Sequence, residues 1–351
     1  MSKIRLKAAI PEASIYSSHQ KTPVYHYKTQ LFLEVLIDNF LQYICRLIVS
    51  KDGYAGISHS HNYTLLERLL FRIAKKWIPG HTYKDAMSAA KETNNKGMSA
   101  ILNFLGEDSI YATQIEQTVN EYCLLLALLK SNGIDGCISV KPTQIGLRIS
   151  YETCLYNFKQ IANKAKSLGK FMWIDIESCQ FVENTIAIYL ELLKDYKQTG
   201  IALQSYLKRS SSDLLHLLEE GANVRLVKGA YRESEENAFQ SADKINSNFS
   251  KLMRMLFENN NSNTTFAIAT HDSKLIEEAI ELSEKFDDIK KHFEFQLLMG
   301  ICDQIKKNLV DRKFRVSEYI PYGSHWLPYS VRRIRERKRN ILLLARSLVQ
   351  S

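Results

Sequence analysis

The sequence predicts an α/β fold, a closed (β/α)8 barrel of the TIM type that follows an N-terminal helical extension. From about residue 98, eight short runs rich in Val, Ile and Phe follow one another, separated by polar or glycine clusters and helical stretches. Strands this apolar need cover on both faces, as parallel strands flanked by helices have. Eight such units in about 250 residues match a closed barrel, and an open doubly wound sheet is the alternative.

The first 95 residues differ in pattern, because their apolar residues recur at helical spacing and no strand signal is found. Helices are predicted over residues 30–50 and 63–77, followed by a short helix from Tyr83. We therefore divide the chain into a helical N-terminal region, residues 1–95, and a barrel, residues 96–351. The predicted strands comprise residues 100–105, 137–141, 171–176, 201–206, 224–228, 265–270, 292–298 and 316–322.

The composition is typical of soluble globular proteins. The 351 residues are 45% hydrophobic and 24% charged, which argues against a disordered or fibrous protein. The longest apolar stretch, residues 31–49, contains Glu34, Asp38 and Arg46, so we interpret it as an amphipathic helix and not as a membrane span. The beginning of the chain lacks the pattern of a secretory signal, and we expect an intracellular protein.

Missing motifs disfavour several kinds of cofactor and metal site. No GxGxxG, GxxxxGKS or GxxxxGKT sequence follows a predicted strand, so the glycine-rich phosphate turns of the dinucleotide-binding and P-loop folds are absent. The six cysteines stand singly without a CxxC pair, and we expect reduced thiols and no metal site. The net charge of +9 favours an anionic partner, although net charge alone is weak evidence.

Polar residues stand at the carboxyl ends of nearly all predicted strands, where a barrel places its functional site. These residues are Lys141, Asp175, Glu177, Gln204, Arg225, Lys228, His271 and Gln296. Any one of them alone is more often half of a structural ion pair. Because Lys141, Arg225 and Lys228 face few certain carboxylates, we predict surplus positive charge that an anionic substrate or cofactor neutralises.

Two further segments favour an anion site. Gly229 and Ala230 leave the backbone bare after the fifth strand, so N–H groups can approach a phosphate, although an ordinary βα turn has the same pattern. One face of the last predicted helix carries a polar stripe of Tyr329, Arg332, Arg333 and Glu336. Two neighbouring guanidinium groups can hold one carboxylate bidentately, so this face could bind an anionic ligand. The alternative interpretation is a basic helix that faces water.

Short motifs in the barrel region resemble, in their order, those of the flavin-dependent proline dehydrogenases, in particular the short monofunctional form. The motifs are FLGE at 104–107, ISVKPTQIGL at 138–147, WIDIE at 173–177, VRLVKGAY at 224–231, THD at 270–272, FQLLMG at 295–300, YIPYG at 319–323 and YSVRRIRE at 329–336. The resemblance covers about residues 96–350 and is weak over the N-terminal helices. It implies a distorted barrel that holds FAD at the carboxyl ends of its strands and oxidises L-proline to Δ1-pyrroline-5-carboxylate in proline catabolism.

The resemblance also implies a role for each matching residue. The substrate side comprises Lys141, Arg332 and Arg333 on the carboxylate, Asp175 and Glu336 as charge partners, and Leu298, Tyr319 and Tyr329 around the pyrrolidine ring. The FAD side comprises Gln204, Arg225, Lys228, Gly229, Ala230, Tyr231, Thr270 and His271. Hydride would pass from C5 of proline to N5 of the flavin, and the electrons would continue to a quinone or another acceptor.

Alternatives remain within and outside this family. Arg232 stands where many members have an aromatic residue, which bears on cofactor affinity, and Tyr319 would crowd a ring hydroxyl, which favours proline over hydroxyproline or another cyclic amino acid. Lys141 or Lys228 could instead form a Schiff base in a lyase. A nucleic-acid-binding helix at residues 332–339 ranks last, so we expect no nucleic acid partner.

The family resemblance and the basic charge also bear on location. We expect a cytoplasmic protein, or a mitochondrial one in a eukaryote. Peripheral attachment to the inner face of a membrane is compatible with a basic surface, because anionic lipid attracts it.

Overall fold

Eight parallel strands form a closed barrel in which neighbours in the sheet are also neighbours in the chain. The computed structural model describes residues 71–336 except 73, 260–263 and 287–288, with side chains up to Ser330 and at Arg333. The strands are β1 (Ser99–Phe104), β2 (Gly136–Val140), β3 (Met172–Ile174), β4 (Thr199–Gln204), β5 (Asn223–Val227), β6 (Phe266–Ala269), β7 (Phe293–Leu298) and β8 (Val316–Tyr322). The predicted closed (β/α)8 barrel is confirmed, and the open sheet is wrong.

The barrel closes where β8 pairs with β1. Six consecutive residue pairs, from Ser99 opposite Ser317 to Phe104 opposite Tyr322, join these two strands in parallel. All of the predicted strands are present, and only their ends differ. The third strand is shorter than predicted, because Asp175 and Ile176 already belong to the segment that follows β3.

A helix precedes β1 and one follows every strand. They are α1 (Tyr83–Asn95), α2 (Ala112–Ser131), α3 (Tyr151–Leu168), α4 (Val182–Asp195), α5 (Ser210–Glu219), α6 (Ala242–Glu258), α7 (Ser273–Ser283), α8 (Asp303–Asp311) and α9 (Trp326–Glu336). The sequence specifies several of their ends. Thr82 and Asp85 cap the start of α1 reciprocally, and Gly169, in the left-handed region at φ 62°, ends α3.

Side chains alternate between the barrel interior and the layer beneath the helices. Ile101, Trp173 and Ala267 form a small apolar cluster inside the barrel, against which Tyr319 packs. The Trp173 ring fits because its neighbour on β4 is Gly200, where a Cβ atom would lie 2.3 Å from the ring. Small residues on one strand therefore make room for a large one on the next.

Outward-facing side chains form the main core of the barrel. Leu102, Ile138, Ile174 and Leu226 are fully buried in one cluster with apolar residues of the surrounding helices. This layer fixes the strands, so that the carboxyl ends of all eight open toward the same end of the barrel.

Several sequence predictions fall outside the described residues. These include the helix at residues 30–50, most of the one at 63–77, the apolar stretch at 31–49 and Cys45. The domain division at residue 96 stays a prediction. The described residues up to Ser330 belong to one compact unit, and residues 331–336 belong to a second unit.

The described part of the chain bears on the prediction of reduced thiols. Free thiols are found at Cys123, Cys137, Cys154, Cys179 and Cys302, as the reduced state requires. Among the described helices, none has the length and apolar character needed to cross a bilayer.

Candidate active site at the carboxyl ends of the strands

The structure places most of the predicted site residues at the carboxyl-terminal end of the barrel. Lys141 follows β2, Asp175 follows β3, Gln204 ends β4, Lys228 to Tyr231 follow β5, Thr270 and His271 follow β6, and Leu298 ends β7. Arg225 lies two residues before the end of β5, and Tyr319 lies three residues before the end of β8. The barrel thus gathers residues that are far apart in the sequence.

Arg225 lies at the centre of the site and is 3% exposed. Its Nη2 donates hydrogen bonds to a carboxylate oxygen of Asp175 and to Oγ of Ser139, the latter at 2.9 Å. Its Nη1 donates to Oε1 of Gln296 at 3.3 Å. The guanidinium also lies 5.0 Å from the Trp173 ring centroid, within cation–π range.

Asp175 joins Arg225 to Tyr319. Its Oδ1 accepts from Oγ of Ser139 at 2.8 Å, and its Oδ2 accepts from the Tyr319 hydroxyl at 2.7 Å. Burial, reinforced by the negative charge of Asp175, raises the pKa of Tyr319 well above its ordinary value of 10.0. The phenol therefore stays protonated and donates, and the three side chains form one fixed polar cluster.

Lys141 pairs with one acidic side chain and acts on the charge of a second. Its Nζ forms an ion pair with Oε1 of Glu107 at 2.7 Å. Glu177 accepts hydrogen bonds from the backbone N–H and the hydroxyl of Thr143, both at 2.8 Å. Burial raises the pKa of Glu177 from 4.5 to about 7, and the positive charge of Lys141 opposes that rise.

The segment after β5 is anchored to the loop after β6. Lys228 forms an ion pair with Asp272 at 2.8 Å, and Asp272 in turn caps the start of α7. Gly229 has φ 108°, and a Cβ atom there would lie 2.2 Å from the Tyr206 ring, so only glycine fits. Nε2 of His271 accepts from the backbone N–H of Leu298 at 3.0 Å, which ties the ends of β6 and β7 together.

The predicted surplus of unpaired cations is wrong for the described residues. Lys141, Arg225 and Lys228 each have a carboxylate partner, at Glu107, Asp175 and Asp272 respectively. Glu107 and Asp272 stood within the FLGE and THD motifs, but the sequence pattern gave no means of pairing them with particular lysines. Ser139 was also missed, because a serine inside an apolar strand gives no distinct signal.

The stripe on the last helix is only partly described. Tyr329 is buried at 6% exposure in α9. The side chains of Arg332 and Glu336 lie outside the described residues, and Arg333 belongs to the second compact unit. Their predicted contact with a substrate carboxylate therefore stays a prediction.

Comparisons with known proteins converge on one family. A family model described as proline dehydrogenase matches residues 86–344. The chain is 30% identical to proline dehydrogenase 1 of Bacillus subtilis strain 168 over 277 residues, which are 79% of this chain and 91% of that protein. It is 28% identical to the proline dehydrogenase of Deinococcus radiodurans over 291 residues, 82% of this chain and 93% of that protein.

A solved structure supports the same fold. Proline utilization A from Bdellovibrio bacteriovorus, inactivated by N-propargylglycine, superimposes with a TM-score of 0.73 at 24% identity. The match covers 78% of this chain and 34% of that chain, so this protein spans about a third of its length.

Glu177→Gln is expected to change how stability depends on pH. The pKa of Glu177 is raised on folding, so its contribution to the free energy of unfolding is fully present below pH 4.5 and is lost as pH rises through about 7. Glutamine does not titrate: its amide oxygen can accept from the backbone N–H of Thr143, and its amide nitrogen can donate to the Thr143 hydroxyl. Relative to the unmodified protein, the variant should gain roughly 3 kcal/mol between pH 4 and pH 8 in denaturant unfolding.

The control for this comparison is Glu116→Gln on the exposed face of α2. Its unfolding free energy should track that of the unmodified protein at every pH. Parallel pH profiles for Glu177→Gln and the unmodified protein would contradict the raised pKa.

Proposed function

The chain belongs to the proline dehydrogenase family, and we propose that it oxidises L-proline to Δ1-pyrroline-5-carboxylate with FAD as its bound cofactor. The observation that carries the proposal is the hydrogen-bonded cluster of Arg225, Asp175 and Tyr319, at the end of a barrel whose match to curated proline dehydrogenases extends over about nine tenths of their length. Proline oxidation of this kind belongs to proline catabolism.

The residues at the rim fit a flavin nucleotide. Gln204 is 2% exposed, and its Oε1 has no hydrogen-bond partner among the described residues. Within the same part of the chain, the backbone N–H groups of Gly229 and Ala230 donate to no carbonyl. A buried polar atom that lacks a protein partner and N–H groups free for an anion are both expected beside a bound isoalloxazine and pyrophosphate.

Each cofactor contact has a proposed residue. Arg225 and Gln204 would face the isoalloxazine, Lys228 and the backbone from Gly229 to Tyr231 the phosphates and ribityl chain, and Thr270 and His271 the outer portion. When bound, FAD supplies a hydride acceptor at N5 for the hydrogen on C5 of proline. Arg225 would stabilise negative charge that develops on reduction.

The remaining rim residues would hold the substrate. Lys141, Arg332 and Arg333 would clamp the carboxylate, and Tyr319, Tyr329 and Leu298 would pack around the ring. Such a clamp fixes the ring in one orientation, which converts an encounter into a nearly unimolecular step. The amine of proline must be neutral to release hydride, so activity should rise with pH.

The alternatives from the sequence receive no specific support. A Schiff-base lysine must be a neutral nucleophile, whereas Lys141 and Lys228 are both held in ion pairs with carboxylates. Tyr319 would crowd a ring hydroxyl, which favours proline over hydroxyproline. We further propose that a quinone or another acceptor receives the electrons and that the net positive charge of the chain allows peripheral attachment to a membrane.

The absorbance spectrum of the purified protein tests the proposed function. After incubation with FAD and removal of excess, the protein should retain a flavin spectrum, and L-proline added without oxygen should bleach it. A lyase would instead be trapped by borohydride with a carbonyl substrate. A colourless protein that takes up no FAD, or a bound flavin that proline leaves oxidised, would exclude the proposal.

Arg332→Met and Arg333→Met test the carboxylate clamp. Removing one member of a buried charge pair typically costs 2–5 kcal/mol, so the KM for proline should rise by about 30-fold or more while the flavin spectrum is retained. Arg339→Met, in the basic run that we expect to face water, is the control. If both clamp variants keep the KM of the unmodified protein, the assignment of these arginines is wrong.

A further inference from the structure

A chain of hydrogen bonds continues from Arg225 down the inside of the barrel, away from the proposed flavin. Nη1 of Arg225 donates to Oε1 of Gln296 at 3.3 Å, and Nε2 of Gln296 donates to Oε1 of Glu294 at 2.6 Å. Gln296 is 3% exposed. Glu294 and Gln296 are two residues apart on β7, so both side chains point to the same face of the strand.

Glu294 is itself contacted by residues at the start of β8. Its Oε2 accepts from the Ser317 hydroxyl at 2.8 Å, and the Arg315 guanidinium lies 3.9 Å from the same oxygen. Arg315 in turn donates to the backbone oxygen of Lys291 at 2.9 Å. The Ser317 hydrogen bond therefore fixes the carboxylate, whereas the exposed Arg315 guanidinium is too far away for a hydrogen bond and adds only a weak, solvent-screened attraction.

The orientation of the Gln296 amide follows from its two neighbours. A guanidinium has only donors, so it requires the amide oxygen, and a carboxylate has only acceptors, so it requires the amide nitrogen. Without the carboxylate, Arg225 alone would orient the Gln296 amide, which could then also turn over. The amide N–H would then face the N–H of Arg225, and the two donors would repel each other.

We propose that Glu294 is a positioning residue that acts through Gln296: it locks the amide so that its oxygen holds the Arg225 guanidinium in place. This inference rests on the proposed function, in which Arg225 lies against the isoalloxazine. Glu294, which would not touch the flavin or the substrate, would thereby set the position of the Arg225 guanidinium that would stabilise the reduced flavin.

A double-mutant cycle tests whether Glu294 acts through Gln296. Glu294→Gln keeps the shape but can donate as well as accept, so it should lower kcat/KM for proline by about tenfold, the size expected for one hydrogen bond to a charged group. It should also lower the reduction potential of the bound flavin. In a Gln296→Leu background, the same substitution should change kcat/KM less than about twofold and leave the flavin potential nearly unchanged. The hydrogen-bond path from Glu294 to Arg225 is already broken in that background.

Two controls separate positioning from a structural role. Arg315→Met removes the cation next to Glu294 without touching Gln296 and should leave kcat/KM and the flavin potential unchanged. Glu294→Asp, which retains the charge but withdraws it from Gln296, should change them in the same direction as Glu294→Gln and serves if that variant does not fold. An equal cost of Glu294→Gln in both backgrounds, or no cost at all, would overturn the proposal.

A flavin-independent readout distinguishes failure of this inference from failure of the proposed function. In protein labelled with 15N-glutamine, the Gln296 side-chain resonance is identified by its loss in Gln296→Leu. It should shift in Glu294→Gln and stay in place in Arg315→Met. An unmoved resonance would refute the locked amide, whereas a shifted resonance in a protein that proline cannot reduce would refute only the proposed function.

Discussion

The ion pair between Arg225 and Asp175 is the contact on which the rest of the site depends. A charge buried as deeply as Arg225 is costly unless it is paired and hydrogen-bonded, and removing one partner leaves the other uncompensated. The groups around the guanidinium come from four different strands and one loop. They are Ser139 of β2, Trp173 of β3, Asp175 just after β3, Gln296 of β7 and Tyr319 of β8. Because these groups meet only when the barrel is closed, closure of the fold and assembly of the site are the same event.

The paired state of the rim cations constrains how an anionic substrate can bind. Lys141 already faces Glu107, and a substrate carboxylate placed beside that pair would bring two negative charges to one ammonium group. Further positive charge is then needed to hold the substrate. Within the proposed function, Arg332 and Arg333 would supply it, which explains why a clamp of several cations is proposed in place of a single lysine.

The sequence predicted the barrel well, because apolar runs of strand length recur with helical stretches between them and local patterning sets both. It also placed Asp175 and Arg225 near one end, since the carboxyl ends of parallel strands share one end of the barrel, whereas Tyr319 was named only through the family resemblance. The sequence did not predict which charged side chains pair with each other. The partners of Lys141 and Lys228 are 34 and 44 residues away, in loops whose approach depends on tertiary packing. The role of Glu294 could not be predicted either, because it depends on the direction in which one amide points.

A double-mutant cycle on Asp175 and Arg225 tests most directly whether their ion pair holds the barrel interior together. Asp175→Asn and Arg225→Met should each lower the free energy of unfolding by about 3–5 kcal/mol, as expected when a buried charge loses its partner. The double variant should lose clearly less than the sum, because neither charge is then left alone. Additive losses, or single variants as stable as the unmodified protein, would contradict the central role of this pair.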